Sequence, residues 1–319
     1  MKTTMNRPDI SSVRQKSQMR FLTDLKRDKV LYVLLLIPLT VLILFSYVPM
    51  FGVQIAFRDY SILEGIWNSP WVGLKYFRQF IESPVFWKVI RNTLVLSFYS
   101  LATFPLPVIL AILLNYVPSK HFRKTVQMVS YAPHFLSTVV MCGIILQFLD
   151  KRSGMINAFL GLFGVGAASY MANPSAFSHI YIWSGVWQGI GYSSIIYIAA
   201  LAGVSLELHE AAIVDGANII RRIWHIDLPA ILPTLCIMLI MACGSIMNVN
   251  FEKILLLQNN LNSPASEVIS TYVYKQGFAS TFPRYSYSSA IGMFSSIVNM
   301  ILLITVNQIT RKLSDNGLW

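Results

Sequence analysis

Acidic residues are scarce in this chain. Its 319 residues include 14 Asp and Glu against 25 Lys and Arg, for a formal net charge of +11, and 12% are charged in all. That is about half the charged share of an ordinary soluble domain. With 55% apolar residues, the chain cannot cover its own surface with polar groups, so lipid is its expected solvent. An excess of basic charge would point a soluble protein towards nucleic acid. Here a positive-inside membrane bias accounts for it, and no nucleic-acid partner is expected. Cysteine is nearly absent: Cys142, Cys236 and Cys243 all fall in apolar segments and read as small buried hydrophobes. Cys236 and Cys243 would stand about 10 Å apart along a helix, too far to bridge. There is no metal-ligand spacing, nucleophile elbow or phosphate-binding loop, so no metal, no catalytic residue and no nucleotide held by this chain is expected. No cleavable signal peptide is expected either, because the first apolar run is too long for one.

What is present is a set of long apolar runs. A spanning helix needs about 20 mostly apolar residues, and six segments qualify: 30–49, 93–115, 126–149, 179–203, 230–248 and 287–310. Every Asp, Glu, Lys and Arg lies outside them, as the cost of a charge at the bilayer centre requires. The sequence therefore predicts an all-α membrane protein with six transmembrane helices in one domain over 30–310.

Basic residues set the orientation. Lys2, Arg7, Arg14, Lys16, Arg20, Lys26, Arg27 and Lys29 precede the first run. Lys120, Arg123 and Lys124 follow the second, Arg221 and Arg222 the fourth, and Arg311 and Lys312 the sixth. These regions alternate to one side, so both termini are expected in the cytoplasm, with a basic tail over 1–29 and a short one over 311–319. The 1–29 tail reads either as a short basic helix near the membrane or as a disordered segment.

The opposite loops are longer. Residues 58–92 carry Trp67, Trp71, Tyr76, Phe77 and Trp87, suited to an interfacial belt; 150–178 is Gly-rich with a lateral helix expected over 155–163; 249–286 is polar. Pro105, Pro107, Pro133, Gly185, Gly189 and Gly191 interrupt the middle runs. They suit either close packing or a cavity-lining bundle that moves.

The segment 205–229 is the most distinctive. Ser205 is placed to cap a helix over 206–214, and Gly216 to end it in a left-handed turn. A second amphipathic helix over 218–225 is expected to lie under the membrane, with Pro229 and Pro233 opening the fifth run. Glu210, Ala211, Ala212, Asp215, Gly216 and Ala217, then Ile226, Leu228 and Pro229, give small residues over which a partner can close and charges that can fix its register.

This spacing resembles the EAA loop of binding-protein-dependent ABC importer permeases. Asn250-Phe251-Glu252-Lys253-Ile254 and Ile269-Ser270-Thr271-Tyr272-Val273-Tyr274 are similar to the LplB-like polysaccharide or oligosaccharide permeases. The resemblance implies the type I ABC importer permease fold in the cell membrane. It also implies a second permease as heterodimer partner, a dimer of ATP-binding subunits docked on the loop, and an extracellular solute-binding protein that delivers a saccharide. ATP and Mg would then belong to the partner ATPase.

Sugar recognition needs aromatic faces and planar polar groups. The fourth run offers Tyr181, Trp183, Trp187, Gln188, Tyr192 and Tyr197, with Trp183 and Trp187 on one helix face; Asn248 and Asn250 stand at the outer end of the fifth. Packing or interfacial anchoring is the competing reading of these aromatics. Glycerol phosphate or another polar solute is the alternative cargo. An ion-coupled secondary transporter is the competing class, disfavoured by the lack of intramembrane charge and of inverted repeats.

Overall fold

The computed structural model describes residues 27–314. Most of the expected basic tail over 1–29 and the end of the C-terminal tail lie outside the described residues. Among the described residues the chain is helix and loop, and its one strand-like pairing is a single bridge between Arg58 and Trp71.

Long apolar helices make the bundle: α1 (Lys29–Phe57), α2 (Phe86–Tyr116), a bent pair α3 (Lys120–Phe135) and α4 (Thr138–Phe148), and α5 (Pro174–Ala202). A short α6 (Leu206–Val214) leads into α7 (Ile219–Gly244). Then follow α8 (Phe251–Leu257), α9 (Ile269–Gly277) and α10 (Tyr285–Ser314). Five of them, α1, α2, α5, α7 and α10, are long and apolar enough to cross a bilayer, and the bent pair α3–α4 taken together makes a sixth, so this is a multi-pass membrane protein. The lateral helix runs Met155–Gly161.

Local sequence explains the ends. Asn173 caps α5 by accepting a hydrogen bond from Ser175 N at 3.0 Å, with Pro174 in the first turn, where its missing N–H costs nothing. Pro105 and Pro107 likewise open the second half of α2 after a turn at Thr103.

Two expectations change. The segment 126–149 is not one straight span: α3 and α4 meet at 100°. Pro133 has no N–H to continue the helix, the backbone turns extended at Leu136 and Ser137, and Ser137 recaps α4 by accepting from Val140 N at 3.3 Å. The second amphipathic helix is not separate either. Residues 219–222 run through a π-helical turn, Ile223–Asp227, directly into Leu228–Gly244. The wider turn lets the chain continue past Pro229 without a break.

Packing is uneven, as lipid permits. Residues 29–51 of α1 are all exposed, with no side chain packed in the interior, an apolar surface that water could not solvate. The other helices meet around three cores, one of them Val108, Ala111 and Ile112 of α2 with Tyr197 and Leu201 of α5 and Ile231 of α7. Apolar burial gains little against lipid tails, so close approach matters more. Gly191 shows this: a Cβ there would lie 2.2 Å from the Ser130 carbonyl oxygen, so only glycine lets α5 touch α3.

Candidate functional site

The loop between α5 and α7 is a finished surface. Ala217 N donates to Ala212 O at 2.8 Å and Gly216 N to Ile213 O at 3.0 Å, the double closure that ends a helix on a left-handed residue. Gly216 holds φ +75° with open space where a Cβ would stand. Asn218 then caps α7, accepting from Arg221 N at 2.9 Å. The Ser205 side chain makes no capping hydrogen bond, although its backbone is extended as a cap requires. Glu210, Ala211, Asp215, Gly216 and Pro229 are exposed; Ala212, Ala217, Ile226 and Leu228 are half-buried. The exposed members form a small-residue face with an acid near each end.

Beneath that face lies a polar cluster absent from the motif reading. Asp227 is fully buried. Tyr116 Oη donates to its Oδ2 at 2.6 Å, and His209 Nε2 lies 3.3 Å from its Oδ1, an ion pair when the imidazole is protonated. The Arg222 guanidinium sits 5.4 Å over the Tyr116 ring. Thus α6, α7 and the end of α2 share one buried carboxylate. The signal was a single acid between Ile226 and Leu228, at the mouth of an apolar run.

The second feature is a cavity of about 1010 Å³ among α2, α5, α7 and the α3–α4 break, at the upper end of ordinary ligand sites. Gln188, Asn248 and Asn250 line it, with Tyr181, Tyr197, His134 and Lys253; Pro107, Gly185 and Gly189 also face it. Gln188 Nε2 donates to Leu136 O at 3.1 Å, satisfying a carbonyl released by the break. Asn250 N donates to Tyr181 Oη at 3.0 Å.

Trp183, Trp187 and Tyr192 are not among the lining residues. Trp183 and Trp187 are half-exposed, and at about 100° per residue they project from the side of α5 opposite Gly185 and Gly189. Trp183 Nε1 donates to Tyr99 Oη at 2.8 Å, and Tyr192 stacks on His134 at 3.8 Å between ring centroids. The four-residue spacing placed the two tryptophans on one face but could not say which face. Lys253 was missed as a lining residue because it lies outside every apolar run and reaches the cavity only through the fold.

Residues 85–315 match the family described as the binding-protein-dependent transport system inner membrane component. Protein LplB of Bacillus subtilis (strain 168) is 39% identical over 320 residues, spanning 100% of both chains. The polygalacturonan/rhamnogalacturonan transport system permease protein YteP of the same organism is 38% identical, over 96% of this chain and 95% of its own. Among solved structures, a chain of a bacterial ABC transporter involved in the import of the acidic polysaccharide alginate superposes with a TM-score of 0.85 at 36% identity, over 92% of this chain and 99% of that one.

Proposed function

This chain belongs to the family of binding-protein-dependent transport system inner membrane components, and we propose that within it the chain forms half of the path by which a carbohydrate, an oligosaccharide or polysaccharide fragment, enters the cell. It is a transport component of an ABC importer. It sits in the cell membrane with both termini in the cytoplasm, paired with a second permease. A solute-binding protein delivers the saccharide from outside. Two ATP-binding subunits dock on the 205–229 loop from inside; they hold ATP and Mg and carry out hydrolysis, and this chain binds no cofactor. Relatives whose names specify polygalacturonan/rhamnogalacturonan and arabinooligosaccharide transport support the carbohydrate class, as does the solved transporter in complex with an alginate pentasaccharide-bound periplasmic protein.

One observation carries the mechanism. The exposed α6 face and the cavity lie at opposite ends of the same rod. From Leu228 to Gly244, α7 rises about 25 Å, starting beside Asp227 in the loop cluster and ending beside Ser245 and Ile246 in the cavity wall. When the ATP-binding subunits close, α6 is displaced, and Asp227 passes that displacement to α7 and to α2 together. The cavity then changes the side to which it opens, a two-state switch of packed helices.

The test is reconstitution. The two permeases and the ATP-binding subunits are placed in liposomes with ATP inside and the binding protein with labelled oligosaccharide outside. Uptake requires all of them, and the purified chain alone hydrolyses no ATP. Uptake driven by an ion gradient without the ATP-binding subunits would overturn this function in favour of a coupled carrier.

A further inference from the structure

Lys253 is a buried cation with no anion beside it. Its side chain lines the cavity, yet the residue is 4% exposed. Its Nζ donates one hydrogen bond, 2.9 Å to the backbone oxygen of Tyr181, and stands 5.0 Å over that residue's ring. Among the described residues no Asp or Glu forms an ion pair with it, and the cavity wall contains no Asp, Glu, Arg or second Lys. An ammonium has three N–H donors. One is used here, so two donors and a full charge are left for whatever fills the cavity.

The surroundings hold the ammonium in place. Asn250 caps α8, its side chain accepting from Lys253 N at 3.1 Å, while its own N–H ties to the Tyr181 hydroxyl. Gly185 gives the ammonium room: a Cβ there would lie 3.3 Å from Nζ. Tyr181, Gly185, Asn250 and Lys253 thus form one corner of the cavity wall, contributed by α5 and the start of α8. Burying an unpaired charge costs free energy, and an incoming anion would offset that cost.

We propose that Lys253 selects an anionic saccharide, its ammonium pairing with a carboxylate of a uronate-type sugar in the cavity. The inference rests on the carbohydrate-permease function above and adds the charge of the cargo. One unpaired positive charge matches one carboxylate, whereas a phosphate ester approaching two negative charges would be left half-compensated. Burial pulls the Lys253 ammonium down to about 8. It is therefore charged at neutral pH and loses its proton as pH rises through that value, while a carboxylate stays ionised throughout.

The experiment uses the complete reconstituted transporter and a panel of oligosaccharides, including trigalacturonate, its uncharged methyl ester and neutral oligosaccharides. For the acid, Lys253→Met is expected to lower uptake about ten- to hundredfold, the worth of a charge-assisted hydrogen bond. Lys253→Arg, which keeps the charge, retains uptake. The wild type loses acid uptake as pH rises through about 8, and the Arg variant does not. Uptake of uncharged sugars by the Met variant falls less than uptake of the acid. Unchanged acid uptake in Lys253→Met, equal losses for charged and uncharged sugars with normal membrane levels, or wild-type uptake confined to neutral sugars would each overturn the charge assignment and leave the carbohydrate function standing. Failure to import any saccharide would overturn that function itself.

Discussion

Tyr116 donates a 2.6 Å hydrogen bond to Asp227, joining the last residue of α2 to the turn that leads α7 into the membrane. With His209 of α6 on the other carboxylate oxygen, one buried acid holds three helices. Tyr116→Phe removes only the hydroxyl. It should cost about 1.5–3 kcal/mol, the range for a hydrogen bond to a charged group, because Asp227 has no water to turn to. In the assembled transporter, thermal unfolding should move to lower temperature and fewer sugars should enter per ATP hydrolysed. A Tyr116→Phe transporter with wild-type stoichiometry would show that the cluster is structural and carries no motion.

Gly216 allows the docking face to be tested by conformation rather than by size. A Cβ at this position meets nothing, so any cost of Gly216→Ala comes from φ +75°, about 1–2 kcal/mol for an L-residue. Gly216→Asn, which tolerates this region better, should couple ATP to uptake more efficiently than Gly216→Ala. Gly216→Asp should abolish uptake and coupling, because it places a second carboxylate beside Asp215 on the face that the ATP-binding subunits cover. The protein should still reach the membrane. Normal uptake by Gly216→Asp would remove this face from the interface.

These two sites differ in how visible they were in the sequence. Gly216 was legible because a left-handed helix end needs a residue without a side chain, and the small residues around it stand in a fixed spacing. The long helices were legible because the bilayer demands charge-free runs. The break at Leu136 was not, because the apolar run continues through it and Pro133 alone does not say whether a helix kinks or turns by 100°. Nor was the continuity of α7, since Pro229 also reads as a helix start. Asp227 and Lys253 become meaningful only when Tyr116, His209 and Tyr181, far away in sequence, are brought against them. Trp183 and Trp187 show the converse: a chemistry-bearing spacing that the fold turns away from the cavity.

A different ion cluster fixes the far end of the bundle and gives a pH dependence. Glu267 accepts from Lys88 Nζ at 2.7 Å and from Lys275 Nζ at 3.1 Å. Burial alone would raise its carboxyl, but the two hydrogen bonds outweigh that and hold it below 4.5. A carboxyl lowered on folding stabilises the protein above its unfolded value, and the contribution is lost as pH falls through the lowered one. Glu267→Gln should therefore cost about 1 kcal/mol near neutral pH, since both lysines are partly solvated. The gap in melting temperature between the variant and wild type should begin to narrow as pH falls below about 4.5 and close only below the lowered value of the folded state. A gap that persists unchanged in acid would mean that the amide disturbs packing rather than the ion pairs.

Gln188 and Trp187 are neighbours in sequence on different faces of α5, only the first of which lines the cavity, which makes them a matched pair for testing it. Gln188 has two tasks: its amide binds the Leu136 carbonyl freed by the α3–α4 break, and it presents polar atoms to the cavity. Gln188→Leu keeps the volume but strands the carbonyl, at about 1–3 kcal/mol for an unsatisfied group, and makes that stretch of wall apolar. Sugar uptake should fall about tenfold, a change equivalent to 1.4 kcal/mol of lost binding, with a lower melting temperature. Trp187 is 50% exposed and contributes nothing to the cavity wall, so Trp187→Ala should leave initial uptake rates near wild type once membrane levels are matched. A large loss in Trp187→Ala together with normal uptake in Gln188→Leu would mean that the sugar travels along the other face of α5, against the partner permease, and not through this cavity.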